Sequence, residues 1–242
     1  MGTIKNPIAT ATLLVLTAIF FTACQFSGVK GSGNVITQSR AVSGTFKSIK
    51  VENGLDVVLE QSGQTNISVI ADDNLQPHIK TRIENGVLII TSDVNSYINI
   101  ESKKIVVKAP NIESIEACTG SSFDTKNTIK SNTMALKSNT GASLHMALEC
   151  EKATIETESA GSVKVNGKAI TLEAAAASAG NIDAEKLLSN DIIASASSAG
   201  IIKIYPLVSL SADASSGGSI NYYNVPKNLN KKSDTGGSIN KE

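Results

Sequence analysis

Ser159-Ala160-Gly161-Ser162-Val163, Ser178-Ala179-Gly180-Asn181-Ile182 and Ser198-Ala199-Gly200-Ile201-Ile202 are three copies of one five-residue pattern. Each opens on Ser or Thr, continues with two small residues and usually a small polar one, and closes on an apolar side chain. Four more copies flank them: Thr119-Gly120-Ser121-Ser122-Phe123, Thr140-Gly141-Ala142-Ser143-Leu144, Ser216-Gly217-Gly218-Ser219-Ile220 and Thr235-Gly236-Gly237-Ser238-Ile239. Successive copies start 21, 19, 19, 20, 18 and 19 residues apart. A fixed period of this size marks a stacked repeat, in which each unit buries its apolar face only against its neighbours.

Working outward from the opening Ser or Thr, position +4 is apolar in all seven units, from Phe123 to Ile239. Position +6 is often apolar as well (Met146, Val165, Ala184, Ile204, Tyr222), with a different kind of residue between. Alternation of period two predicts a short strand after each corner. A second strand precedes it, with paired apolar or small side chains at −6 and −4: Met134/Leu136, Ala153/Ile155, Leu172/Ala174, Ile192/Ala194 and Leu210/Ala212. The fold expected is all-β, a single-stranded parallel β-helix with coils of about 19 residues. Gly and Ala at the corners let the backbone turn sharply and approach the next coil. A leucine-rich repeat would show spaced leucines and an asparagine, and a calcium-binding β-roll an aspartate in each half-turn; both patterns are missing. Glu173-Ala174-Ala175-Ala176-Ala177 is helical by propensity alone, but its columns hold Ser and Ala in neighbouring units, so strand and corner are expected there.

Lys and Arg number 22, matching 22 Asp and Glu, and Trp is absent. Without a basic cluster, nucleic acid and anionic membrane surfaces are not expected partners. Residues 1–23 have the form of a signal peptide, with Lys5 before an apolar run from Ile8 to Phe21 that is short for a membrane span. The run ends in Phe21-Thr22-Ala23-Cys24, which is similar to a bacterial lipobox and makes Cys24 the expected lipidation site. Several acyl chains on one cysteine would anchor the protein stably to the outer membrane, on its periplasmic or its surface side. Residues 24–40 are rich in Gly, Ser and Lys without periodicity and are expected to form a flexible tether, with the folded domain spanning 41–242.

The first third of that domain reads as all-β but less regular. Ile49 and Val57 fit the −4 and +4 columns of an early coil around Asn53-Gly54. Ile79 to Glu84, Asn85-Gly86 and Val87 to Ile90 give a hairpin signal. Ile105 to Lys108 and Ile112 to Ile115 are expected to lead into the regular coils. The segment Val42-Ser43-Gly44-Thr45-Phe46-Lys47-Ser48-Ile49-Lys50-Val51-Glu52-Asn53-Gly54-Leu55-Asp56-Val57 resembles the opening of the head GIN domain family of "putative auto-transporter adhesins". Ala71-Asp72-Asp73-Asn74-Leu75, Asn85-Gly86-Val87-Leu88-Ile89-Ile90 and the corners ending in Asn221 and Asn240 resemble further blocks of that family. The resemblance implies a right-handed β-helix in a cell-envelope protein of a Bacteroidetes-like bacterium, and it supplies no catalytic residues. No translocating barrel is expected to follow, so autotransport is not implied for this chain.

A search for chemistry finds little. His78 follows Pro77 in an expected loop, and His145 at +5 is expected to point outward; neither belongs to a cluster with metal-ligand spacing. Asp56, Glu60, Asp72, Asp73 and Asp93 are scattered through the irregular part, and Asp72-Asp73 reads as a turn with Asn74. Cys118 at −1 and Cys150 at +10 lie about one and a half coils apart, which predicts free thiols rather than a disulfide. No cofactor and no metal are expected. The expected role is a non-catalytic binding surface for a glycan or a protein, held to the membrane by the lipid; an architectural envelope role and a β-helix polysaccharide-degrading enzyme are the alternatives.

Overall fold

The structure, a computed structural model, describes residues 28–242. Its repeating device is the corner. In all seven copies the opening Ser or Thr takes a φ of 49–53° and the next residue, Gly or Ala, a φ of 60–80°. Two successive left-handed residues make a type I′ turn. The third residue's N–H closes the turn on the carbonyl before the Ser or Thr, as in Gly200 to Ser197 at 2.8 Å. The turns also bond to one another. The Gly120, Gly141, Ala160, Ala179 and Ala199 amides each donate to the carbonyl of the next coil's opening residue, at 3.0–3.2 Å. In the later corners the third residue has no room for a side chain: a Cβ at Gly161 would lie 2.1 Å from the Ser138 carbonyl oxygen, and one at Gly200 2.2 Å from that of Ala176.

Between corners the chain is extended. In chain order the strands of the first part are β1 (Val29–Lys30), β2 (Val35–Arg40), β3 (Ser48–Val51), β4 (Asp56–Gln61), β5 (Asn66–Asp72), β6 (Ile79–Glu84), β7 (Val87–Ser92), β8 (Tyr97–Ile98) and β9 (Lys103–Ala109). The regular part follows as β10 (Ser114–Ala117), β11 (Ser122–Thr125), β12 (Ile129–Ser138), β13 (Ser143–Thr157), β14 (Ser162–Ala176), β15 (Asn181–Ala196), β16 (Ile201–Ala214), β17 (Ser219–Tyr222), β18 (Asn228–Ser233) and β19 (Ser238–Lys241). One 3-10 turn, Asp73–Leu75, interrupts them. From β10 onward every pairing is parallel, as a β-helix requires, with register shifts between β14 and β15 at Lys164/Asn166 and between β15 and β16 at Ala184/Leu188 and Ser189/Asp191. Within β13, Leu144, Met146 and Leu148 face inward, then Ala153, Ile155 and Thr157 do. The change of phase falls at the exposed pair Glu151-Lys152, which is the second corner of the coil.

The core is a set of columns along the axis. One runs Ile105, Val57, Phe123, Leu144, Val163, Ile182, Ile202, Ile220, Ile239, each paired with the next. Except for the last, which is half-buried, they are at most 1% exposed. A second runs Leu88, Ile49, Ile115, Leu136, Ile155, Ala174, Ala194, Ala212, Lys231. Nine rungs at a strand spacing of about 4.8 Å give an axial length of about 38 Å.

These columns revise two expectations. The segment 103–109 precedes the regular coils in sequence but not in space. Strands β7 and β9 stack on one side of β3 and β4, and the chain then crosses back to lay β10 and β11 on the other side. The tether is also shorter than the 24–40 expected. Strand β1 pairs with β8, and β2 pairs antiparallel with β5, which itself pairs antiparallel with β9. Segments 28–40 therefore belong to the first end of the stack. Polar side chains from elsewhere hold them: Asn74 accepts from the Ser32 amide at 3.0 Å and donates to the Lys30 carbonyl at 2.8 Å, and Arg40 donates to Gln76. The hairpin of β6 and β7 forms as expected, with Asn85 and Gly86 at φ of 51° and 77°. The signal sequence and Cys24 lie outside the described residues.

The two ends differ. At the first, the carbonyls of the Asn53-Gly54 corner have no further corner stacked on them and are covered by the Tyr97 hydroxyl (3.1 Å from the Asn53 carbonyl oxygen) and the Lys103 ammonium. At the last rung the inward columns turn polar. Lys231 follows Ala212, and Lys241 follows Tyr222, whose ring lies 5.5 Å from the Lys231 ammonium.

Candidate functional site

The acidic residues and histidines do not converge. His78 is paired with Asp93 at 2.7 Å on the surface, a partnership that no local pattern announced. That hydrogen bond holds the Asp93 carboxyl below its ordinary range. His145 points outward from β13 and faces Asp124 at 3.4 Å. Asp56 pairs with Lys103 at 3.0 Å, and Glu60 with Lys126 at 3.0 Å. Among the described residues, no three His, Cys, Asp or Glu gather as a metal site. Cys118 and Cys150 are free thiols, both pushed up to about 11, foremost by burial, so they are poor nucleophiles.

Asp72 is the exception to surface placement. It ends β5 fully buried instead of sitting in an exposed turn. One carboxylate oxygen accepts from the Gly33 amide at 2.7 Å, the other from Glu101 and Ser102 at 3.0 and 2.9 Å. The Ser102 amide is the chief reason its carboxyl sits below the ordinary range, and the Gly33 and Glu101 amides add to it. Three donated backbone bonds satisfy this buried carboxylate, which makes it a staple for two loops.

The outward side chains of the coils are what remain. Along the first half of the solenoid they form ion pairs from coil to coil: Lys130–Glu149 at 3.2 Å, Lys137–Glu156 at 2.7 Å and Lys152–Glu173 at 2.7 Å. The second half is different. Among the described residues nine large apolar side chains are exposed, and all but Val35 fall between Ile170 and Leu229. Register places Ile170 and the Leu207-Val208 pair at the second corner of two coils, with Asn190 on the coil between them. Ile193, 56% exposed, stands on the adjoining strand face. There it borders a shallow cleft of about 600 Å³ lined by Thr171, Asp191, Ser209, Asn228 and Leu229. The Ser209 hydroxyl donates to Asp191 at 2.6 Å. No histidine lines the cleft, and its side chains offer hydrogen bonds and apolar contact.

The model of the family described as "Putative auto-transporter adhesin, head GIN domain" matches residues 45–226. The chain belongs to this family. Its head GIN domain has the fold of solved relatives. A "putative adhesin" from Bacteroides fragilis NCTC 9343 superposes with a TM-score of 0.82 at 23% identity, covering 89% of this chain and 100% of that one. A "putative adhesin" from Parabacteroides merdae ATCC 43184 gives 0.70 at 18% identity, covering 88% and 98%. A "putative lipid binding protein" from Parabacteroides distasonis ATCC 8503 gives 0.70 at 23% identity, covering 88% and 99%. No curated protein matches. At these identities the neighbours establish the fold alone.

Proposed function

We propose that this head GIN domain is a non-catalytic lipoprotein of the cell envelope, anchored to the outer membrane through Cys24, whose solenoid presents a binding surface to a glycan or a protein. The observation that carries it is the uneven distribution of exposed apolar side chains. Soluble proteins scatter such residues singly, whereas a concentration rimmed by polar groups marks a binding surface. Here the second half of the solenoid gathers eight of them beside Thr171, Asp191, Ser209 and Asn228. Repetition along the axis lets weak contacts add up over several coils. The absence of Trp and the aliphatic character of the cluster favour a protein over a glycan, since sugars are gripped chiefly by aromatic faces and hydrogen bonds.

The test compares purified protein with Ile193→Lys/Leu207→Lys/Val225→Lys and with Lys137→Gln on a glycan array and on immobilised extracellular-matrix proteins. Binding by wild type and Lys137→Gln, reduced at least tenfold in the triple variant, is the expected result. Absence of wild-type binding on both panels, or binding untouched by the triple variant, would remove the second half as the site. Anchoring is checked separately: metabolic labelling with an alkyne fatty acid should mark wild type and spare Cys24→Ser, and protease shaving of intact cells separates surface from periplasmic display.

A further inference from the structure

The fold leaves almost no leash. Strand β1 starts at Val29, only five residues after Cys24. Five fully extended residues span at most about 17 Å. The segment that follows does not swing. The Val29 amide donates to Ser96 and that of Gly31 to Ile98, each at 3.0 Å, and β2 adds a six-residue antiparallel ladder on β5. Gly31 is threaded so closely that a Cβ there would lie 2.6 Å from the Asp72 carboxylate and 2.8 Å from the Ile100 Cα. The Asp72 carboxylate clamps Gly33 to the 101–102 loop.

From these lengths we infer that the end of the solenoid built from β1, β2 and the loop around Tyr97 to Ser102 faces the lipid headgroups directly. The axis stands away from the bilayer, and Asp72 is the positioning residue that keeps the leash short. This rests on Cys24 being the lipidated residue. The anchored chain enters at an end of the stack, not at its flank, while the opposite end lies about 38 Å further along the ladder. Lying flat would need a flank that attracts anionic headgroups. In the first half of the solenoid, the half nearer the anchored end, flank lysines are paired with glutamates of the neighbouring coil, as in Lys130–Glu149 and Lys152–Glu173. The partner of the first end is thus a phospholipid surface, and the apolar half of the solenoid is carried outward from it.

The experiment reconstitutes the lipidated full chain into phosphatidylethanolamine/phosphatidylglycerol vesicles carrying a headgroup acceptor dye. Donor dyes sit on single cysteines, Asn95→Cys at the first end or Asn240→Cys at the last, with Cys118 and Cys150 replaced by alanine. Energy transfer should be several-fold higher from position 95 than from position 240. A ten-residue Gly/Ser insertion after Gln25 should lower transfer from position 95 while vesicle sedimentation is unchanged, since such a linker adds about 17 Å of root-mean-square reach. Equal transfer from both positions would overturn the standing orientation. Transfer insensitive to the insertion would overturn the short leash. Protein left in the supernatant would remove the Cys24 anchor itself, and with it this inference.

Discussion

At the later corners of this solenoid two adjacent small residues do opposite jobs. Ala199 has a φ of 61°, which a side chain tolerates at a cost of about 1–2 kcal/mol, and a Gly there would relieve it. Gly200 has an ordinary φ but lies against the Ala176 carbonyl, so its missing side chain is a matter of space. Ala199→Gly should therefore raise the melting temperature by a few degrees, while Gly200→Ala should lower stability by at least about 2 kcal/mol, on the scale of an overpacked site. Thermal unfolding of the two variants checks this; the same sign for both would contradict the corner geometry. Asp72 makes a different prediction. Its carboxyl is held below the ordinary range in the fold, so its stabilisation is present above the unfolded value of about 4 and fades as pH falls through the folded value. Asp72→Asn places an amide donor against backbone donors and should cost about 1–3 kcal/mol at neutral pH. The gap between the two melting curves should narrow below about pH 4. A gap constant from pH 7 to 2 would show that the charge is not what matters.

A single coil is stabilised by its columns, and these were readable in the sequence. Ile182 at +4 is fully buried between Val163 and Ile202, while Asp183 beside it is outside, 3.4 Å from Lys164. Ile182→Asp should cost more than about 4 kcal/mol as an unpaired buried charge. Asp183→Asn should change stability by less than about 1 kcal/mol, since the pair sits on the solvent side of the strand with its lysine exposed. Equal chemical-denaturation midpoints would contradict the register. Period-two alternation carries this information because one residue's shift moves every side chain to the other face. The same signal is silent about which rung lies beside which. Ile49, Leu88 and Ile115 are interchangeable as column residues, so nothing local in Ile105 to Lys108 told that β4 would lie between them and β11. The strand Val35–Arg40 was equally hidden, because Asp72, Gln76 and Arg40 hold it through contacts more than 30 residues apart in sequence. Of the site, the outward positions were legible; the concentration of Ile170, Leu188, Ile193, Leu207 and Val225 on one half was visible only once the coils were stacked.

The whole molecule is a stack whose hydrogen bonds between coils run along its axis. With the first end anchored and the second half bound to a partner, as proposed above, a load would run along this stack. The final rung is weakest: Leu229 is 40% exposed, and Lys231 and Lys241 stand where earlier rungs place apolar residues. Under tension along the axis the bonds of one coil are loaded together, and the next coil is untouched until they break. Pulled from its C-terminus, the protein should yield coil by coil from Lys241 inward. Each step frees about 19 residues, or about 60 Å of contour after subtracting one rung. Single-molecule stretching between the two termini should record a sawtooth of near-equal steps of that length. One release of the entire chain would mean that the coils fail together. The repeat that builds the fold is then also a reserve of length, let out in increments while the first end stays folded.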